Sequence, residues 1–321
     1  ASLAAPRPNL PILGIPQTGA TGVGRTMSDI MAEEASHAGE PPASPTLMNE
    51  HEYPDRSKLP QNPLSPFVAS IPEMPVDRMI YSRAQGPGSG PFTPQTVGVN
   101  FTATNLSGTG AFPPDNDGAV GPTQYIVAVN GRIISFNKTA GVADGVMNTT
   151  TNTFFTSVRN GSGTSDPMCR YDRLSNRWFI SIINVSTPNR WLLAVSDAAS
   201  NGVISAGTVW TFYFFIPATT SPTISNGSTC LSDYPSLGID ANALYTGVDE
   251  FCGSGQPFQQ TDVFVIRKSS VLSGGPIVVT AFRALMSASG GYVGPFAPRG
   301  VDNFDPGTNE GYFIGTDGAS Y

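Results

Sequence analysis

Short runs of apolar and β-branched residues, separated by turn-forming residues, dominate the chain from about residue 93 onward. These runs recur at intervals of roughly ten residues and show no convincing helical period. Turn signals such as Asn130-Gly131 and Asn201-Gly202 lie between them. We predict strands over Gln124–Asn130, Arg132–Asn137, Trp178–Ile183, Trp191–Ser196, Val209–Ile216, Leu244–Val248, Asp262–Arg267, Ile277–Ala281 and Tyr312–Gly315. The pattern predicts an all-β fold and argues against alternating βαβ units.

Two sequence echoes favour a β-propeller among the all-β folds. Asn176-Arg-Trp178 and Asn189-Arg-Trp191 open two runs in the same way, as adjacent strands of a meander would. A Gly-x-Asp turn followed by an aromatic residue begins at Gly238 and again at Gly315. At about 40–50 residues per blade, we predict four to five blades. An open ring exposes a sheet edge and an apolar face, so we expect a further C-terminal segment or another chain to complete it. An irregular β-sandwich that closes by itself is the alternative.

The first 95 residues differ in composition from the rest, because they hold sixteen of the 29 prolines. Proline at this density excludes helix interiors and central strands. One short helix, over about 27–38, is the exception, with Thr26 or Ser28 as its cap and Gly39 after its end. We therefore predict an extended Pro-rich arm over 1–95 and β-propeller blades over 96–321.

Charge excludes two classes of partner. The chain has 17 basic and 24 acidic residues, a net charge of −7 and only 13% charged residues. Such a chain lacks the basic surface that nucleic acid or an anionic membrane requires. The longest apolar run, Trp210–Ile216, is far shorter than the roughly 18 residues of a membrane span. We predict neither nucleic-acid binding nor a membrane span.

Several motifs in order resemble a group of secreted, largely uncharacterised bacterial β-propeller proteins. The resemblance covers roughly residues 110 to 285, and Cys169 replaces an aliphatic residue expected at its position. Its main motifs are Pro113-Pro-Asp115-Asn-Asp117-Gly-Ala-Val-Gly121, Tyr171-Asp172-Arg-Leu-Ser-Asn-Arg177-Trp178 and Asp233-Tyr-Pro235-Ser-Leu-Gly-Ile-Asp240. The resemblance implies an exported repeat protein, often attached to other extracellular modules. It implies no established activity and no catalytic residues.

The cysteines and sequons agree with a secreted or cell-surface protein. Cys230 and Cys252 lie symmetrically about a hairpin turn predicted at residues 240–243, so we predict a disulfide between them. For Cys169 two interpretations are open, a small buried hydrophobe or the partner of a cysteine on a further segment. Sequons occur at Asn100, Asn105, Asn137, Asn148, Asn160, Asn184 and Asn226. These asparagines are either glycosylation sites or ordinary polar loop residues.

Two oxygen-rich stretches are candidates for a metal site. Asp115 and Asp117 precede a glycine as in a calcium loop, but the distant glutamate of an EF-hand is absent. Asp302, Asp305 and Glu310 form the second stretch. Turn chemistry explains both stretches equally well. We expect no cofactor and keep Ca²⁺ as the open alternative.

The inventory of catalytic residue types is narrow. Both histidines, His37 and His51, lie in the N-terminal arm, which argues against a Ser/His/Asp system or a His-ligated zinc site in the β region. Asp233, Asp249 and Glu250 would converge at one end of the predicted hairpin and supply the carboxylate pair of a glycosidase. Solvent-facing acids at a strand end are the simpler interpretation, so we assign no catalytic residue.

Two functional classes remain. The preferred one is an extracellular structural or binding protein in a surface or multi-chain assembly. Its expected partners are a polypeptide that completes the propeller, neighbouring copies held through the arm, or an extracellular polysaccharide. The alternative is a secreted carbohydrate-active enzyme, a glycosidase or polysaccharide lyase that uses Asp/Glu or Tyr/Arg residues.

Overall fold

The structure is a computed structural model that describes residues 12–37, 46–47, 97–224, 227–285 and 295–317. It is mostly β, with several antiparallel sheets and few short helices, so the all-β prediction is confirmed. No sheet formed by these residues closes on itself. None of the helices in the described ranges is long and apolar enough to cross a bilayer.

The N-terminal part contributes strands to sheets whose other strands come from much later residues of the chain. Its described elements, with those of the following segment, are β1 (Pro16–Thr21), β2 (Val23–Thr26), α1 (Met27–Ser36), β3 (Thr46–Leu47), α2 (Leu106–Thr109) and β4 (Ala111–Phe112). The helix predicted over 27–38 is α1, and the Thr26 side chain caps it by accepting from the Asp29 N–H. Strands β3 and β4 pair in parallel.

The first sheet is a four-stranded antiparallel meander. Its strands are β5 (Asp117–Val120), β6 (Gln124–Val129), β7 (Arg132–Asn137) and β8 (Ala143–Thr149), and helix α3 (Thr151–Phe154) follows. The Asn130-Gly131 pair turns the chain between β6 and β7, where Gly131 has a φ of 85°. Glycine adopts this backbone conformation without steric cost. The turn predicted at Asn130-Gly131 is therefore confirmed.

The second sheet is also a four-stranded meander, and β2 adds a fifth strand beside its last one. Its own strands are β9 (Thr164–Asp172), β10 (Arg177–Asn184), β11 (Trp191–Ser196) and β12 (Val209–Phe215). The two strands that open with Asn-Arg-Trp are β10 and β11, which pair antiparallel with Ile183 opposite Trp191. The predicted meander at this repeat is confirmed.

The third sheet is an antiparallel meander like the first two, but its first strand is divided into two short strands. Its elements are β13 (Leu231–Asp233), β14 (Gly238–Ile239), β15 (Ala243–Phe251), β16 (Phe258–Arg267), α4 (Lys268–Leu272) and β17 (Pro276–Phe282), preceded by 3₁₀ turns at Pro217–Thr219 and Gly227–Thr229. Both β13 and β14 pair with β15, and β1 pairs with β17 at the opposite edge. A final hairpin of β18 (Pro295–Gly300) and β19 (Phe313–Asp317) packs on β15.

The second sheet has an apolar cluster on each of its faces. Alternate residues of a strand point to opposite faces, and here both sets are buried. Toward the first sheet and α1 lie Trp178, Ile180, Leu192, Trp210 and Phe212, together with Ile126, Ile133 and Phe154. Toward the third sheet lie Phe179, Trp191, Leu193, Tyr213 and Phe215, together with Leu244, Phe264 and Ile277. All three tryptophans are fully buried, so they are core residues.

Residues 12–37 of the predicted arm lie against the chain's own sheets. Strand β2 pairs with β12 and β1 pairs with β17, so the segment spans the outer edges of two sheets. Helix α1 then places Met27 and Ile30, both fully buried, in the cluster between the first and second sheets. Glu34 of α1 accepts from the Thr150 N–H (2.9 Å) and pairs with Arg132 (2.9 Å). The remaining arm, apart from 46–47, falls outside the described residues.

Truncation of Ile30 tests whether this segment is part of the core. Because Ile30 is fully buried, Ile30→Ala should lower the free energy of unfolding by about 2–4 kcal/mol through lost burial and a residual cavity. Ile15, 65% exposed on the same segment, provides the matched control Ile15→Ala, which should change stability by less than about 0.5 kcal/mol. Urea denaturation followed by tryptophan fluorescence measures both. Equal stability of the two variants would show that α1 is not anchored.

Candidate functional site

A left-handed backbone conformation recurs at the first strand of each successive sheet. Asp115 precedes β5, Asp166 lies in β9, Tyr234 follows β13 and Ala297 lies in β18, with φ angles of 36°, 60°, 54° and 47°. Residues other than glycine adopt such angles rarely and at an energetic cost. The first strands also contact one another, β5 with β9 and β9 with β14. The recurring feature therefore lies where the sheets meet.

Four carboxyl groups come together at these first strands, and we call Asp115, Asp166, Asp233 and Asp249 the acidic cluster. Asp166 hydrogen-bonds through its carboxyl group to Asp233. Asp233 stands directly opposite Asp249 in the antiparallel pairing of β13 with β15. Asn130 links the fourth member, Asp115, to Asp166. Its Nδ2 donates to Asp115 Oδ2 (2.5 Å), and its Oδ1 accepts from the Asp166 N–H (2.8 Å). Elements from three sheets thus build one cluster.

Burial and the repulsion of neighbouring carboxylates raise the pKa of two members of the acidic cluster, Asp166 and Asp249. Burial raises the pKa of Asp166 to about 8, and the nearby charges of Asp233 and Asp115 add to the effect. Burial also raises the pKa of Asp249 to about 7, although the Ala297 N–H and the Thr261 hydroxyl both donate to it at 2.9 Å.

Glu250 lies on the opposite face of β15 from Asp249. It accepts from the Ser232 hydroxyl (2.7 Å) and lies 3.6 Å from Arg283 Nη1, which also pairs with Asp262 (2.5 Å). Burial raises the pKa of Glu250 to about 8. Of the three predicted acids, the structure therefore brings Asp233 and Asp249 together and separates Glu250 from them.

Three titratable residues of these networks are not predicted as site residues from the sequence. They are Asp166, Asp262 and Arg283. The Asp166-Pro167 pair was a usable signal, because proline inside a strand marks an edge or a bulge. The register of β9 against β10 shifts at this point. No local signal marks Asp262 or Arg283, whose pairing depends on the alignment of β16 with β17.

The predicted metal ligands are engaged by arginine or by local turn interactions. Asp117 Oδ2 lies 2.8 Å from Arg170 Nη1, and Asp302 Oδ2 lies 3.1 Å from Arg170 Nε. An arginine side chain thus supplies the positive charge between these two carboxylates. Asp305 accepts from the Gly307 N–H, and Glu310 accepts from the Tyr312 hydroxyl (2.8 Å), which are local turn interactions. Asp115 accepts from Asn130, and within the described ranges Asp302, Asp305 and Glu310 do not converge as a group of possible ligands.

The disulfide between Cys230 and Cys252 is confirmed. Strand β13 pairs with β15 so that Leu231 is opposite Phe251. The same register places the next residues outward, Cys230 and Cys252, opposite each other. The turn lies at the predicted place, with the Asp240 N–H donating to the Ala243 carbonyl (3.1 Å). Glu250 has an oxygen within 4.8 Å of both sulfurs, but sulfurs joined to each other offer no thiolate to a metal. Cys169 is free and buried, as the small-hydrophobe interpretation predicts.

The sequon asparagines divide by exposure. Asn100, Asn105, Asn137, Asn148 and Asn160 are exposed. Asn184 is fully buried, donating to the Arg159 carbonyl and accepting from the Arg190 N–H, so a glycan there is sterically excluded. Asn226 lies outside the described residues.

Comparisons of the chain with known protein families, with curated proteins and with solved structures find no match. That geometry gives a buried acidic cluster, a disulfide at the end of the third sheet, and sheets packed face to face.

Substitution of Asp166 by asparagine tests the electrostatics of the acidic cluster. A buried carboxyl group with a raised pKa favours the folded state below its unfolded pKa, and this contribution is lost as pH rises toward about 8. The wild-type protein should therefore unfold several degrees lower at pH 8.5 than at pH 5.5. Asp166→Asn removes the charge and tolerates the left-handed backbone, so it should reduce this difference.

The matched control is Asp29→Asn in the exposed part of α1, which should leave the pH dependence as in the wild type. Differential scanning fluorimetry at both pH values measures all three proteins. If Asp166→Asn retains the full wild-type difference, Asp166 does not carry the buried proton.

Proposed function

We propose that the protein is an extracellular, non-catalytic binding or structural protein whose sheets are stacked as β-propeller blades. The observation that carries this proposal is the position of the acids considered as an alternative catalytic set, which do not face solvent as the simpler interpretation expected. Asp249 and Glu250 are both fully buried, and they use their oxygens to join neighbouring strands and sheets. They contribute to the framework of the protein.

A comparison with glycosidase chemistry supports the same conclusion. A glycosidase needs two carboxyl groups facing one cleft, about 5–5.5 Å apart in retaining enzymes and about 6.5–9.5 Å apart in inverting ones. Asp249 and Glu250 point to opposite faces of β15, one toward β18 and the other toward Ser232 and Arg283. A substrate would have to pass through the sheet to reach both. The alternative of a glycosidase that uses this pair is not supported.

The succession of sheets supports a propeller arrangement. Three meanders follow one another in the chain, and the first strand of one packs near the first strand of the next. The second sheet is covered on both faces by its neighbours, as an internal blade would be. The β18–β19 hairpin continues the series on the other face of the third sheet.

Location outside the cytosol is supported by the disulfide and the low charge content. A disulfide that ties two strands in register persists in an oxidising compartment. Assembly with another chain or segment is supported by exposed apolar side chains on the last described hairpin. There Tyr312 is 51% exposed and Ile314 is 67% exposed. Exposed apolar positions at a sheet edge favour contact with another segment or chain.

An activity screen with a binding measurement tests the proposed function. The protein is incubated with a panel of neutral and acidic polysaccharides, and reducing ends and unsaturated sugars are measured. We expect no product from the wild type, from Asp249→Asn or from the control Asp29→Asn, while sedimentation with the polysaccharides detects binding without turnover. Sugar release that Asp249→Asn abolishes in a protein still folded by circular dichroism would contradict the proposal and establish the enzyme.

A further inference from the structure

A surface cleft between the first and second sheets concentrates positive charge on an acidic protein. Its volume is about 470 Å³, and it is open to solvent. The end of β5 and the following turn form one wall, the turn after β9 forms another, and Phe304 lies at its side. Three of the chain's 17 basic residues, Lys138, Arg170 and Arg173, line it. We propose that this basic cleft binds a uronate carboxylate of an acidic polysaccharide.

Arg173 is the residue on which the proposal chiefly rests. Its guanidinium lies 4.5 Å from the centre of the Phe304 ring, a cation–π contact that orients the group without using its N–H donors. Within the described part of the chain Arg173 makes no hydrogen bond or ion pair. An arginine side chain presents five donors in a planar fork that matches a carboxylate. Arg173 is thus oriented and unpaired at the edge of an open cleft.

The contacts of Lys138 and Arg170 determine the net positive charge that the cleft presents to a ligand. Lys138 Nζ donates to the Gly121 carbonyl (3.2 Å), which places the ammonium at the wall and leaves two of its three donors free. Arg170 is already paired with Asp117 and Asp302. The three cations and these two carboxylates leave one net positive charge. That charge suits a singly charged group such as a carboxylate better than a doubly charged phosphate.

The shape of the cleft favours a sugar over a peptide. An extended acidic peptide would bind by adding a strand to a free sheet edge, but β5 and β9 contact each other here and the cleft is lined by strand ends and turns. Its volume lies within the range of about 300–1,000 Å³ of small-molecule sites, far more than a bare anion fills. Apolar Val120, Pro122 and Phe304 stand beside the cations. This mixture fits the apolar face and the carboxylate of a uronic acid.

Equilibrium binding of three matched hexamers to the full chain tests the assignment. The probes are hexagalacturonate, its carboxyl-reduced neutral counterpart and hexaglutamate, titrated calorimetrically at low ionic strength. We expect measurable binding of hexagalacturonate alone, weakened by added salt because the contacts are exposed. Arg173→Gln should weaken it about tenfold, the loss expected for one charge-assisted contact. Lys138→Gln should act in the same direction.

The control variant is Arg267→Gln, which removes the same charge from an exposed arginine of the third sheet and should bind like the wild type. Unchanged affinity in Arg173→Gln, or equal binding of the neutral hexamer or of hexaglutamate, would overturn the assignment. This inference rests on the proposed binding function. If the titrations overturn the uronate assignment, the proposed binding function is unaffected. The activity screen can overturn that function whatever the titrations show.

Discussion

The burial of both faces of the second sheet is the constraint on which the rest of the structure depends. Every residue of β11 is buried, and alternate side chains of its neighbours enter two different apolar clusters. Each large apolar side chain buried in this way contributes about 1.5–3 kcal/mol. A sheet of this composition cannot face water on either side, so the first and third sheets must pack against it. The stacking of sheets therefore follows from the apolar runs in β10, β11 and β12.

Stacking has a cost at the junctions, where polar strand ends are taken out of water. The structure compensates by pairing them. Lys268, almost fully buried, lies 2.6 Å from Asp172 at the end of β9 and donates to the Asp240 carbonyl (2.6 Å), which links the second and third sheets. The pairs of Arg283 with Glu250 and Asp262 serve the same purpose. Removing one partner of such a buried pair typically costs about 3–5 kcal/mol, so these groups belong to the framework.

The sequence predicts well those parts of the fold that local pattern controls. All of the predicted strands overlap observed ones, because strands buried on two faces are apolar runs bounded by turns. The disulfide was predictable because its two cysteines are equidistant from a recognisable hairpin turn. Strands such as β5 and β9 were missed, since their aspartates, glycine and proline obscure the alternation of apolar and polar residues. Cluster partners were also missed, because Asp166 and Asp233, or Asp117 and Asp302, meet only through the packing of separate sheets.

Native-state hydrogen exchange, read by mass spectrometry, tests the central role of the second sheet most directly. If this sheet is enclosed by its neighbours, its amides in β10 and β11 can exchange only when the whole protein unfolds. We predict that these amides are the slowest to exchange and that their rates follow the global stability as denaturant is added. Amides of the β18–β19 hairpin, which has exposed apolar side chains, should exchange sooner. Exchange of β10 and β11 at the rate of that hairpin would contradict the account.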